Sequence, residues 1–140
     1  KSWEINKQKS KNRASILDGT PISLPSIIKS QRLQEKASSV GFDWDNINDV
    51  WAKLYEEINE LKIACEKGQL KSIEEEIGDC FFSLVNLARH LNISAENSVR
   101  KTNNKFSKRF KEVEHKVSKM SKKINEMSNE EISKLWESVK

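Results

Sequence analysis

Between residues 47 and 120 the apolar side chains recur every three or four positions and never settle into alternation by twos. That period matches the turn of an α-helix, so each segment presents one apolar stripe that must be covered by another helix. The stretch from about Ile47 to Glu66 carries Ile47, Val50, Leu54, Ile58, Leu61 and Cys65 on such a stripe. A longer one, opened by Ser94, carries Ala95, Val99, Thr102, Phe106, Phe110, Val113, Val117 and Met120. Punctuation divides the remainder. Pro25 suits the first turn of a helix reaching about Val40, Gly41 ends it, and Gly68 stops the second helix. Ser72 with Glu75, and Ser128 with Glu131, have the capping-box spacing. They predict a third helix reaching about Leu91 and a short last helix carrying Ile132, Leu135 and Trp136. Four glycines and two prolines are too few for the tight turns of a β-sandwich. The expected fold is all-α, a bundle of four main helices plus a short C-terminal helix.

Apolar residues make up 36% of the chain and charged residues 33%, a lean supply for covering so many stripes. A second copy is therefore expected to complete the core, giving a homodimer. No apolar run approaches the ~18 residues of a membrane span, and no signal peptide opens the chain, so no membrane association is expected. Cys65 and Cys80 lack any paired-motif spacing, which argues against a disulfide scaffold or zinc knuckle and for a reducing, cytoplasmic setting. Lys1 in place of methionine implies a piece of a longer chain. Residues 1–23, aperiodic and containing the turn signal LDGTP, are expected to be a tail or linker, with the domain at 24–140.

Charge is laid out in blocks. Residues 1–40 carry a net +5, residues 41–79 a net −7 and residues 80–140 a net +6. The acidic middle argues against stable nucleic-acid binding, which calls for a dominant basic face. Within it, YEEINEL places Glu57 at the edge of the apolar stripe and Glu60 on the same flank one turn on. Glu76 and Asp79 repeat that spacing in EEEIGDCFFSLVNLA, which is apolar around most of its circumference after Gly78. Burial on several sides is expected there, and a carboxylate in such a place needs a counter-charge. Two carboxylate pairs on facing helices can surround a hard cation. With no histidine in either pair, Mg²⁺ or Mn²⁺ is favoured over iron or zinc. The plainer reading makes Glu56, Glu57 and Glu60 surface acids paired with Lys53 or Lys62. Lys105 and Arg109, four apart beside Phe106 and Phe110, are either a solvated basic face or a pair that holds phosphate oxygens. Trp51 reads as core, Trp44 as core or pocket wall, and Cys80 as a small buried side chain rather than a nucleophile.

At these residues the sequence resembles the MazG nucleoside triphosphate pyrophosphohydrolases, specifically the C-terminal catalytic half of the two-domain bacterial enzyme. The likeness runs through LPSIIKSQRLQEKASSVGFDW (24–44), EExxE (56–60), ExxD (76–79), FSLVNLARHLNISAE (82–96), NNKFSKRF (103–110) and LWESVK (135–140). The resemblance implies hydrolysis of NTPs or dNTPs to the monophosphate and pyrophosphate, of broad or house-cleaning specificity. It implies Glu57, Glu60, Glu76 and Asp79 as magnesium ligands, and Lys105 and Arg109 as phosphate-contacting, catalytically supporting bases. Trp136 matches an aromatic that stacks on the nucleobase. Glu56 and Glu57 are the candidates for general base. Two features depart from the family: CEKGQLKS between the second and third helices is short, and KMSKKINEMSNE lacks a glycine common there. The alternatives are a non-catalytic regulatory or dimerisation half of a longer protein, or a basic nucleic-acid-binding module.

Overall fold

A computed structural model describes residues 14–140, so residues 1–13 of the expected tail lie outside the described part. The described residues are all-α, without a strand: α1 (Ser26–Ser39), α2 (Ile47–Lys67), α3 (Leu70–His90), α4 (Ala95–Lys119), a 3-10 turn at Ile124–Glu126, and α5 (Asn129–Ser138). Among these, no helix is long and apolar enough to cross a membrane. The chain divides into two compact units, one ending at Glu96 and one running from Asn97 to Lys140.

Local chemistry sets the helix ends. Pro25 precedes α1 with φ near −55°, already suited to the first turn. At its far end Gly41 takes φ +93°, and the amides of Gly41 and Phe42 return to the carbonyls of Ser38 and Ala37, a Schellman closure. Asn46 caps α2 by accepting the Asn48 amide at 2.8 Å. Gly68, at φ +68°, ends that helix. The predicted capping box at Ser72 is not formed. The Gln69 carbonyl already accepts from the Ile73 amide, so α3 begins three residues earlier than a Ser72 cap implies and Ser72 sits in its first turn. The capping box of Ser128 and Glu131 is formed in full at α5. After α4, in the stretch that lacks a glycine, Ser121 takes the left-handed conformation at φ +56°.

In the first unit α2 and α1 both pack on α3, around a centre of Val50, Leu54 and Leu87. The buried face of α2 is Val50, Leu54, Glu57 and Ala64. The expected stripe is therefore rotated: Ile58 and Cys65 are exposed, and a carboxylate occupies a position inside the buried row. Trp51 is not core but lies 40% exposed, stacked on Tyr55. On α3 the buried residues are Ser83, Val85 and Leu87, while Ile77, Phe81 and Leu84 face outward, so the helix is covered on one side only. In the second unit Val113 and Val117 are buried, Phe106 stacks on Phe110, and Trp136 from α5 packs on Phe106 with ring centres 5.4 Å apart.

One ionic clamp ties the α1–α2 connection to α3. Arg89 donates to both oxygens of Asp43, at 2.9 and 2.6 Å, and Asp43 also accepts from Ser38 at 2.9 Å and lies 3.0 Å from His90 Nε2. Nothing local in the sequence announces a pair 46 positions apart. The guanidinium, against the opposing effect of burial, holds the Asp43 carboxyl well below the usual carboxylate range. A lowered folded pKa adds stability that is complete above about pH 4 and is lost as the pH falls toward the folded value. Asp43→Ala is expected to lower unfolding free energy by about 1.5–3 kcal/mol at neutral pH. It should also flatten the acid limb of a pH–stability profile from denaturant melts; an unchanged limb would remove the clamp from the account.

Candidate metal centre

The connection between α2 and α3 is only Gly68 and Gln69, which forces the helices into an antiparallel hairpin and fixes their register. Glu57 lies eleven residues before Gly68 and Asp79 ten after Gln69, while Glu60 lies eight before and Glu76 seven after. Distances from the turn that match to within one residue bring these positions nearly level across the hairpin. Glu57, Glu76 and Asp79 each offer an oxygen within 4.8 Å of the others. Glu57 is 5% exposed, Glu76 half-buried and Asp79 exposed, so the group opens outward from a buried end.

The carboxylates are incompletely neutralised. Lys53, one turn before Glu57, donates to Glu57 Oε1 at 2.9 Å and reaches Glu56 Oε1 at 3.5 Å. Glu57 Oε2 and Glu76 Oε2 are buried with no hydrogen-bond partner. Burial raises the Glu76 carboxyl above its ordinary value, and the charges of Glu60, Glu57 and Asp79 push it further. Burial likewise pushes the Cys80 thiol up, helped by the same acids, which keeps it a neutral thiol. An all-oxygen donor set with two orphaned buried oxygens and surplus negative charge suits a hard cation.

Other expected site residues stand as follows. Glu60 joins Glu76 in lining a small cavity near the hairpin turn, outside the three-carboxylate group. Glu56 is exposed, with Oε1 3.5 Å from Lys53 Nζ. Lys105 is exposed and Arg109 half-buried on α4 in the second unit, and Trp136 is engaged with Phe106. The role of Lys53 in holding Glu57 was readable only as the four-residue spacing of one charged pair.

Residues 46–114, which span α2, α3 and most of α4, match the MazG nucleotide pyrophosphohydrolase domain. The chain carries a MazG domain. It is 37% identical over 143 residues to a nucleoside triphosphate pyrophosphohydrolase of Escherichia coli K12, covering 99% of this chain and 54% of that protein. It is 39% identical over 142 residues to the nucleoside triphosphate pyrophosphohydrolase/pyrophosphatase MazG of Thermotoga maritima, covering 100% of this chain and 54% of the relative. The chain thus spans about half the length of these relatives. The matched MazG stretch contains Glu57, Glu60, Glu76, Asp79, Lys105 and Arg109 and leaves out Trp136.

Millimolar divalent cation should raise the melting temperature, corresponding to about 2.7 kcal/mol at a hundredfold excess over Kd. Asp79→Asn should melt no lower than the parent without cation and should lose that rise. Without cation, the raised Glu76 pKa means the folded state holds the extra proton, so stability should decline as the pH climbs above about 4.5. A melting temperature indifferent to cation would remove the metal centre.

Proposed function

We propose that the chain hydrolyses nucleoside triphosphates, NTPs and dNTPs, to the monophosphate and pyrophosphate, dependent on Mg²⁺ with Mn²⁺ able to substitute. The observation that carries this reading is the Glu57–Glu76–Asp79 group, with two unpartnered buried oxygens, inside a matched pyrophosphohydrolase domain. The printed names of the E. coli and T. maritima relatives support the reaction class.

Glu57, Glu76 and Asp79 would hold the ion, with Glu60 one turn along completing the set. A bound divalent cation neutralises triphosphate charge and lowers the pKa of water. Lys53 fixes Glu57 through one oxygen and leaves the other buried without a partner. Glu57 and Glu56 are the acids we assign to proton removal from the attacking water. Lys105 and Arg109 would hold the phosphoryl oxygens, arginine through its planar fork and lysine as a point charge. Trp136 would offer a face for the base.

The active form is proposed to be a homodimer of the 24–140 domain. Trp51, Tyr55 and Ile58 form an outward row on α2, and Ile77, Phe81 and Leu84 form another on α3. Apolar rows of this kind are covered in working proteins. Both cysteines are free thiols, in keeping with a cytoplasmic setting. The acidic centre favours a nucleotide–cation complex over stable nucleic-acid binding.

Pyrophosphate release from a panel of NTPs and dNTPs, with the monophosphate as co-product, is the deciding assay. Release should require Mg²⁺ or Mn²⁺. Arg109→Ala is expected to lower kcat by about 10²–10³-fold, the scale of losing one charge-stabilising donor. No release from any substrate by folded protein would overturn the reading. Sedimentation should give a dimer that Phe81→Glu converts to monomer; a monomeric parent would separate the hydrolysis from the dimer.

A further inference from the structure

The cation that meets the acids of the metal centre is Lys53. Its Nζ lies 2.9 Å from Glu57 Oε1 and 3.5 Å from Glu56 Oε1. The first distance is that of a charge-assisted hydrogen bond, and the second is a looser contact. Glu57 belongs to the buried row of α2, with its side chain only 7% exposed. A carboxylate in that position has little room to turn. Packing holds its stem, and the ammonium holds one of its oxygens.

The two oxygens of Glu57 are thereby made unlike. Oε1 is engaged by Lys53, whereas Oε2 is buried without a partner. With one oxygen taken, Glu57 has one left to give a cation. Hard cations differ on this point. Mg²⁺ takes about six ligands in near-ideal octahedral geometry at about 2.0–2.1 Å, and single oxygens suit it. Ca²⁺ takes about 6–8 ligands at about 2.3–2.6 Å and readily accepts both oxygens of one carboxylate. A carboxylate restricted to one oxygen favours the smaller ion, because it withholds a ligand from the larger.

Lysine suits this task where arginine would not. An ammonium is a point charge that can meet a single oxygen, whereas the guanidinium fork matches both oxygens of a carboxylate. The Lys53 side chain is 39% exposed, so reshaping it opens no cavity in the core. Its spacing of four residues before Glu57 sets the contact within one helix, independent of how other elements pack.

We propose that Lys53 is a positioning residue that sets cation specificity: by holding Glu57 Oε1 it restricts Glu57 to one-oxygen ligation and selects an ion of the size of Mg²⁺ over Ca²⁺. The proposal rests on the hydrolase reading for the presence of a divalent cation at this centre.

Titration calorimetry and thermal melts of the full chain with Mg²⁺, Mn²⁺ or Ca²⁺ alone, without nucleotide, test it. The ratio of Mg²⁺ to Ca²⁺ affinity should fall about tenfold in Lys53→Met, the scale on which a partner behind a metal ligand acts. Infrared spectra of Ca²⁺-loaded Lys53→Met should gain a bidentate carboxylate band, which loss of a merely structural lysine would not produce. Lys53→Arg should keep the ion pair and the fold while its fork takes both oxygens, weakening Mg²⁺ binding about tenfold. That variant decides the matter if Lys53→Met does not fold. An unaltered affinity ratio in folded Lys53→Met, or parental Mg²⁺ affinity in Lys53→Arg, would overturn the proposal. A parent that binds neither ion removes the metal centre and the hydrolase reading with it. A parent that binds Mg²⁺ and releases pyrophosphate, with the ratio unmoved in Lys53→Met, removes only the role of Lys53.

Discussion

Carboxylate oxygens within 4.8 Å of one another repel, and in this chain a two-residue turn holds those of Glu57, Glu76 and Asp79 there regardless. Gly68 can take the left-handed conformation that reverses the chain at once, and α3 starts two residues later. With so little slack the hairpin cannot slip by a turn to separate Glu57 from Asp79, or Glu60 from Glu76. The apolar contacts of Val50 and Leu54 with Leu87 hold the same register from the other side. The fold therefore carries an electrostatic cost, and the raised Glu76 pKa is its local signature. Lys53 offsets only part of it, since a single ammonium reaches one oxygen of Glu57 and leaves the second unpaired.

The Asp43–Arg89 clamp plays the complementary part. It draws the α1–α2 connection onto the last turn of α3 through a bidentate pair backed by Ser38 and His90. Its geometry explains why a short turn between helices can roof a cavity instead of collapsing into it. Charge cancels inside the clamp, so the cavity wall is polar without being ionic. A hard, anionic-lined centre and a neutral, half-apolar pocket thus sit on successive stretches of one helix.

Legibility in the sequence followed the range of the interaction. Helix ends fixed by a single residue's conformation or by a spacing of three were visible at Gly41, Gly68 and Ser128. Ser72 had the same spacing and failed, because the short turn upstream had already started the helix. The metal candidates could be read from two matching pairs of acids, whereas their degree of burial could not. The apolar stripe of α2 suggested Glu57 at an edge, but packing on α3 rotates the helix so that Glu57 lies in the buried row. Long-range partners left no trace: Asp43 and Arg89 are 46 residues apart, and Gln34 meets the Phe82 carbonyl 48 residues away. The exposed rows on α2 and α3 were misread for a related reason. Periodicity reports that a residue is apolar, not which neighbour covers it, so Trp51 looked like core and α3 looked buried on several sides.

Seen as energetics, the unpaired groups are informative because they are few and localised. Among the described residues, the buried side-chain atoms without partners are Gln34 Oε1, Glu57 Oε2, Glu76 Oε2 and Arg89 Nε. All four belong to the acidic centre or to the pocket beneath the turn. A fold under selection for stability alone would pair such atoms or replace them, since each costs on the order of 1–3 kcal/mol. Natural chains carry such deficits where a ligand repairs them. Two of these atoms are acceptors of the acidic centre, and the other two are an acceptor and a donor that line the pocket beneath the turn.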